Sequence, residues 1–540
     1  MRHLFPLVPM LALATPAMAQ TIDDQGASAL RDSLARYVGR TAFDKGVLKV
    51  DVDGDAYKLE VDLKSLMALL PAEAGVTATF SPYVLRLKPR PDGDWDVASD
   101  AAPSGSFELK TPEGPTKVDL AIADGKFSGV FDPDIATFST ATASYSSLKM
   151  VSIDPLTRTD VTTGPSTFTQ TAKAAAAGVD FTSSQPMADF VETITFTTPD
   201  TVPFPIVLKA PKVSFDVGGA GLRSREILDL VAFFVANSDE EKIKANQAEM
   251  KKLMLGALPL WEKISGAYGF TDLTVPSPLG EFGAKQLGVN IAADGIGNDG
   301  TLNYAIKIAG LKVPPEAAAL APTWAVALVP TDMELNFGGV NLNLDAPARK
   351  AIEALDLTKE PPLPDEVGQE IEADFMANLP RFAMARSFVK NADTEIAAFG
   401  EVSFPEGNTN KPDVNVTFEA SGYDKLVEAL QNAAKTDADA QQAFPILLAA
   451  KGFAKTLPDG KLQWVLNVKP DGSVVVNGST MKGPDVEAEP EEPVDPNAPP
   501  GTLTSPPQTP DAPEEPAEPE APSAPTDPNA PPGTLTKPSP

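Results

Sequence analysis

The sequence predicts an α+β protein, mostly antiparallel β, with long meander and hairpin sheets curling around a few amphipathic helices. Three observations carry that expectation. Apolar and polar residues alternate through much of the chain. Asp-Gly and Gly-Gly pairs punctuate the alternating runs. Helical periodicity is confined to a few short stretches.

Val47 to Leu63 shows the strand pattern. Leu48, Val50 and Val52 alternate with polar residues, Asp53-Gly54 supplies a turn, and Tyr57, Leu59, Val61 and Leu63 alternate again. Period two places these apolar side chains on one face, and Asp-Gly accepts the positive φ of a tight hairpin. The same pattern recurs around Asp92-Gly93, Asp124-Gly125, Asp459-Gly460 and Asp471-Gly472. Met333 to Leu344 reads as a further hairpin turning at Gly338-Gly339.

Helices are expected over Ala29 to Val38, and over Ser224 to Ser265 with a break near Asn237. A Ser238/Glu241 capping box restarts the second of these. Its apolar stripe runs Met250, Leu253, Met254, Ala257, Leu258, Trp261 and Ile264, and Pro259 kinks it. Pro364 to Phe388 is a third candidate, with Ile371, Phe375, Leu379 and Phe382 on one face. Tyr423 to Ala434 and Gln441 to Lys451 form a fourth, broken pair. Each stripe is expected to pack on a sheet as core.

The chain divides by composition. Residues 1–19 read as a secretory leader: Arg2 and His3, then an apolar run from Leu4 to Ala14, then Ala17-Met18-Ala19 as cleavage site. Eleven apolar residues are too few to span a bilayer core, which takes about 20. A soluble protein of the periplasm beginning at Gln20 is expected, with no transmembrane segment. A strand-rich half is expected over 20–218 and a helix-led, β-rich half over 219–483, with Gly218-Gly219 as boundary and one sheet able to serve both. Residues 484–540 hold 19 prolines, 12 acids and one lysine. Such a segment cannot bury a core and extends by self-repulsion. It repeats DPNAPPGTLT at Asp495–Thr504 and Asp527–Thr536, a pattern suited to a linker or to two motifs for an envelope partner.

Chemistry is narrowed by what is missing. The chain has no cysteine and one histidine, His3, inside the leader. Catalysis by histidine or cysteine, disulfides, and zinc sites of thiolate or imidazole therefore have no residues to use. A net charge of −30 gives no electrostatic basis for binding nucleic acid. Asp51, Asp53 and Asp55 depart from a calcium loop, since Gly54 stands at position four, Ala56 at six where glycine is required, and Asp62 at twelve where glutamate is required. Asp294 to Gly300 resembles one calcium-binding β-roll repeat, but stacked copies are required. Ser479 to Lys482 matches S-x-x-K without its helix or its companion motif. A carboxylate-pair glycan hydrolase needs only two acids, and acids are abundant here. No catalytic, cofactor-binding or metal-binding residue is therefore assigned, and no cofactor is expected.

Tyr423 to Val427, a second helix around Phe444 to Phe453, and the closing hairpin Leu462 to Leu466, Pro470-Asp471-Gly472 and Val474 to Gly478 form a distinctive tail to the body. With the leader and the repeated hairpins, the chain resembles exported alphaproteobacterial proteins of domain-of-unknown-function family 2125. It is more distantly similar to AsmA-like envelope proteins, which implies an association with lipid transport. The residues themselves point the same way: large apolar strand faces outnumber the helices able to cover them. The expected function is non-catalytic binding of a lipid or other apolar ligand in the cell envelope. A structural or interaction protein acting through its acidic tail, and the hydrolase, are the alternatives.

Overall fold

The computed structural model describes residues 22–67, 75–111, 114–197, 204–326 and 328–485. The segment expected to be a leader, residues 1–19, and nearly all of the proline-rich tail lie outside these residues. The described body begins with α1 (Asp24–Val38) and α2 (Arg40–Asp44). Then come β1 (Leu48–Asp53), β2 (Ala56–Val61), α3 (Leu63–Met67), β3 (Thr77–Ala78), β4 (Tyr83–Pro89) and β5 (Trp95–Ser99). Next are β6 (Gly105–Thr111), β7 (Gly114–Ala123), β8 (Lys126–Asp132), β9 (Thr137–Tyr145), β10 (Ser147–Ile153), β11 (Thr157–Thr163) and β12 (Ser166–Ala175). Two long strands, β13 (Gly178–Phe196) and β14 (Phe204–Leu222), lead into α4 (Ser224–Ala236), α5 (Glu240–Ala245) and α6 (Gln247–Ala257). After β15 (Lys263–Ser277), β16 (Gly280–Asp294) and β17 (Gly300–Lys312) come α7 (Pro315–Ala318), α8 (Thr323–Val326) and β18 (Asp332–Leu342). The helices α9 (Asp345–Ala354) and α10 (Asp365–Ala377) precede β19 (Arg381–Lys390), β20 (Glu395–Ser403) and β21 (Asp413–Ser421). The body closes with α11 (Tyr423–Ala433), α12 (Ala438–Gly452), β22 (Lys455–Thr456), β23 (Leu462–Val468), β24 (Val474–Val476) and β25 (Ser479–Lys482).

These strands join one antiparallel sheet, as the alternation predicts. From β12 to β21 each strand pairs with the next in sequence, and β23, β24 and β25 continue the series. On the N-terminal side three long strands are each interrupted once, giving β7 with β8, β9 with β10, and β11 with β12. The outer pieces pair among themselves (β7–β10–β11) and so do the inner ones (β8–β9–β12), and β13 receives both. Gly218 and Gly219 lie inside β14, paired with β13 on one side and β15 on the other. The division suggested there by composition falls within a strand, and the sheet runs through it.

The interruptions form a seam across the sheet. Asp124, Asp189, Asp272 and Gly310 have φ of 53, 50, 51 and 61°, and each marks a one-residue break in the alternation of its strand. Met187 and Phe190 are three residues apart, as are Ala210 and Val213, and Phe270 and Leu273, yet all six share one apolar cluster. An odd spacing reverses a side chain in a regular strand, so the extra residue restores the apolar side to the same face beyond the seam. No helix contributes to this cluster, and Val213 is still 0% exposed. The side chains of the sheet's own strands close this cluster.

Turns at Asp92-Gly93, Asp459-Gly460 and Asp471-Gly472 connect strands as the sequence suggests, and the first hairpin turns one residue later, at Gly54-Asp55, with Asp53 closing β1 opposite Ala56. Asp124-Gly125 does not turn the chain. It belongs to the seam, because the left-handed backbone that suits a hairpin also suits a bulge. Gly338-Gly339 is not a turn either. It lies mid-strand in β18, and a Cβ on Gly338 would stand 2.0 Å from the Leu302 carbonyl oxygen. The second helical stripe ends at Ala257, with Trp261 outside the helix and Ile264 on β15. The restart after Asn237 is capped by Asp239, whose carboxylate accepts from the Lys242 amide at 3.0 Å, rather than by Ser238. Likewise α10 stops at Ala377, and Phe382 belongs to β19.

Candidate functional site

The register defines the two faces of the sheet. Directly opposed residues of an antiparallel pair share a face. One row runs Val217, Gly266, Ile291, Tyr304 and Phe337 across β14 to β18. The next parallel row runs Phe215, Tyr268, Val289, Ile306 and Leu335. On the C-terminal side Ala398, Phe418 and Trp464 are opposed, as are Val402, Val414 and Val468. From Val213 on β14 to Val468 on β23, none of the residues that the pairing places on this face is charged.

Each end of this face is covered. At the N-terminal end α1 lays Leu30 and Leu34 on Tyr57, Leu59, Leu85 and Trp95, all buried. The i, i+4 spacing brings both leucines to one side of the helix, and Asp23 caps it by accepting from the Gly26 amide at 2.8 Å. At the C-terminal end α11 and α12 cover β21 and β23. The Trp464 indole donates to the Ala450 carbonyl at 2.7 Å, and the Tyr423 hydroxyl to the Leu447 carbonyl at 2.9 Å. A row of helices joined through α1–α4, α4–α6, α6–α9 and α9–α10 contacts follows one end of the strands. Arg36–Asp229 at 2.9 Å and Lys350–Glu370 at 2.7 Å tie members of that row together.

Between the covered ends the apolar face is open. Ile291, Leu302, Phe337, Phe382, Ile396 and Phe418 stand on six neighbouring strands, β16 to β21, and all are exposed, Phe337 by 50% and Phe382 by 61%. Together they present on the order of 500 Å² of apolar surface, at the upper end of what a soluble monomer normally shows. Five strand spacings give the stretch a length of about 24 Å. Phe337 leans on Tyr304 with ring centroids 5.1 Å apart, and Phe382 on Phe404 at 6.1 Å. Burial on this face pushes the Tyr268 phenol up to about 12, with Glu192 adding to the rise.

The opposite face carries the charges. Arg386 bridges Glu395 at 2.6 Å and Glu419 at 2.7 Å across three strands. Partial burial works against its positive charge, but the two carboxylates outweigh that and hold its pKa up. A hollow of about 690 Å³ also crosses β12 to β19. Its lining takes in Thr171, Thr182, Ser265, Asn290, Ala383 and Ala385 of the polar rows together with Val217, Ile291, Tyr304 and Phe337 of the apolar row, and Asp216 is its one acid. A carboxylate-pair hydrolysis would need a second acid there.

The motifs singled out in the sequence are scattered. Asp55 is held by Arg86 and, at 2.6 Å, by Lys88, which lower its pKa through a hydrogen bond and charge, Lys88 foremost. It therefore serves a cross-strand ion pair at the β1–β2 turn, away from Asp51 and Asp53 on β1. Asp294 ends β16 and accepts from the Thr301 amide and hydroxyl, both at 2.8 Å, closing the glycine loop as a hairpin. Ser479 and Lys482 lie exposed on β25, a strand, where S-x-x-K chemistry requires a helix. Among the described residues no group of three or more acids or histidines could hold a metal ion. No described helix is long and apolar enough to cross a membrane. The open face escaped sequence reading because its residues come from six strands that local patterning cannot place side by side. The one available signal was the surplus of apolar strand positions over helix surface.

No family model, no curated protein and no solved structure matches the chain.

Proposed function

We propose that this protein is an exported, non-catalytic protein of the cell envelope that holds an elongated apolar ligand, the acyl chain of a lipid, along β16 to β21. The observation that supports this reading is the uncharged face, covered at both ends and bare between them. Leaving six large apolar side chains half in water forgoes about 1 kcal/mol each, which a ligand can recover. The open stretch of about 24 Å exceeds one leaflet of a bilayer core, about 15 Å, so an extended acyl chain fits along it. The pattern of residues 1–19 is what suggests export to the periplasm, and the resemblance of the hairpin pattern to family 2125 and AsmA-like proteins is what suggests a lipid as the ligand.

Native mass spectrometry of the purified protein, with titration of a fluorescent fatty acid or phospholipid, tests the reading. Retained lipid or saturable uptake near one chain per protein is the expected result. A clean apo mass together with no uptake sinks the proposal.

A further inference from the structure

The strands β17 and β18 pair side by side, and the Leu311 amide already donates to the Thr331 carbonyl at 2.7 Å at the base of their connection. A turn of about two residues would join them. The chain uses the 19 residues Val313 to Thr331 instead, with α7 and α8 inside them. Connections of that length usually serve as lids or binding loops.

Two contacts place this strap on the apolar side of the sheet. Ala284 pairs with Leu273 of the seam cluster, so Ala284, Phe282 and Gly280 of β16 face the apolar side by period two. A Cβ on Gly280 would meet Pro314, at the head of α7, at 2.6 Å. At the other end α8 contacts α11, which covers β21. The strap thus reaches from β16 to β21, the strands of the open stretch, and leaves Ile291, Phe337 and Phe418 exposed.

Little ties it down between its ends. Among the described residues, the backbone hydrogen bonds of Pro314 to Pro330 close within the strap, such as Ala318 to Pro314, Val326 to Pro322 and Val329 to Val326. Pro314 is buried, whereas Ala319 to Pro322 are exposed, Leu320 by 74%. Segments with few buried contacts and only local bonds open at low cost. The composition matches the face beside it. Charged residues make up 22% of the chain, yet Glu316 is the one charge from Val313 to Thr331. A segment that stays in water has no reason to avoid charge; one that closes over an uncharged face does.

We infer that Val313 to Thr331 is a lid hinged at β17 and β18, which swings over the open stretch and covers an acyl chain lying on β16 to β21. The ligand comes from the lipid-binding reading, on which the lid rests; the device itself stands on the strap's position, bonding and composition.

The test uses the full chain and cis-parinaric acid, a fluorescent fatty acid. The chain has no cysteine, so Ala321→Cys with Asn410→Cys accepts spin labels at those two positions alone. Both are exposed, Ala321 on the strap and Asn410 in the β20–β21 connection at the opposite end of the strands. Saturating probe should shorten the distance between the labels by about 10 Å, three residue rises along a strand. Leu320→Glu should leave the thermal melt unchanged, because the side chain already faces water. It should release bound probe at least tenfold faster, because closure would bury its carboxylate. Replacing residues 313–330 by Asn-Gly should speed release by as much. A label distance that does not change under saturating probe, or either variant releasing probe at the wild-type rate, overturns the lid and leaves the lipid-binding reading in place. A wild type that takes up no probe removes that reading, and the lid with it.

Discussion

Phe337 offers the most direct test of the open face. It is 50% exposed on β18, between Tyr304 on one strand and the β19 side chains on the other. A phenyl side chain contributes about 200 Å², so roughly 100 Å² remains for a ligand to cover. At about 25 cal/mol per Å² that surface is worth up to about 2.5 kcal/mol, close to two decades in Kd. At the same rate the half that is already packed puts the stability cost of Phe337→Ser at up to about 2.5 kcal/mol, below the roughly 3–5 kcal/mol typical of a fully buried phenylalanine. Two measurements separate the terms: acyl-chain affinity by fluorescence titration, and unfolding free energy by urea. The expected pattern is a Kd weakened tenfold to a hundredfold beside a stability loss of no more than about 2.5 kcal/mol. An unchanged Kd would refute the placement of the ligand. A stability loss of several kcal/mol would show instead that the ring is buried in a closed core.

Val213 is the opposite case, fully buried at the seam with no helix over it. Val213→Ala should cost about 2–3 kcal/mol in urea unfolding, the removed methyl groups plus their cavity, and a loss below 1 kcal/mol would mean that the strands' own side chains do not close the cluster there. Gly338→Ala should lose about 3 kcal/mol, because its methyl group meets the Leu302 carbonyl inside a paired strand. At a hairpin turn the same change would cost a few tenths, so the unfolding midpoint distinguishes the two placements. Tyr268 should ionise late, near pH 12 against about 10 for an unfolded tyrosine. In that interval the unfolded state has already released its proton and the folded state has not, so stability falls as pH rises from 10 to 12. Burial also raises Tyr57, Tyr83 and Tyr423, so the difference in phenolate absorbance between wild type and Tyr268→Phe should isolate one late transition near pH 12, and a difference spectrum without it would count against the assignment.

Much of the architecture was legible because it is local. Leu48 to Val61 encodes its own hairpin, since alternation gives the strands and Asp53-Gly54 marks the turn to within one residue. The helices α1, α11 and α12 were legible from apolar spacing over two or three turns. What failed, failed for one reason: a residue pair states which backbone it tolerates and not which partner stands beside it. Asp124-Gly125 has the chemistry of a turn and was used for a bulge. Gly338-Gly339 has the composition of a turn, whereas it lies within β18 and the Leu302 carbonyl beside Gly338 leaves no space for a side chain. Trp261 and Ile264 continued a helical stripe only on paper, because the chain leaves the helix at Ala257 and enters β15 at Lys263. The open face was foreshadowed only as an excess of apolar strand residues. Its position depends on six strands drawn from Gly280 to Ser421, and on helices that cover the two ends and leave the centre bare.

The left-handed residues that cross the sheet act as a shared phase shift. Each strand between β7 and β17 carries one extra residue at the same level, so neighbours stay in step although none alternates perfectly from end to end. A deletion of Asp189 alone would put half of β13 out of phase, turning Phe190 and Ile194 to solvent and bringing Val191 inward. Beyond β17 the sheet continues through β18 to β25, which start short of the seam and do not carry its offset. The seam is thus a local rule for the strands that cross it: a single-residue insertion or deletion in one of them breaks step with both neighbours, whereas strands that stop short of it are free of the constraint.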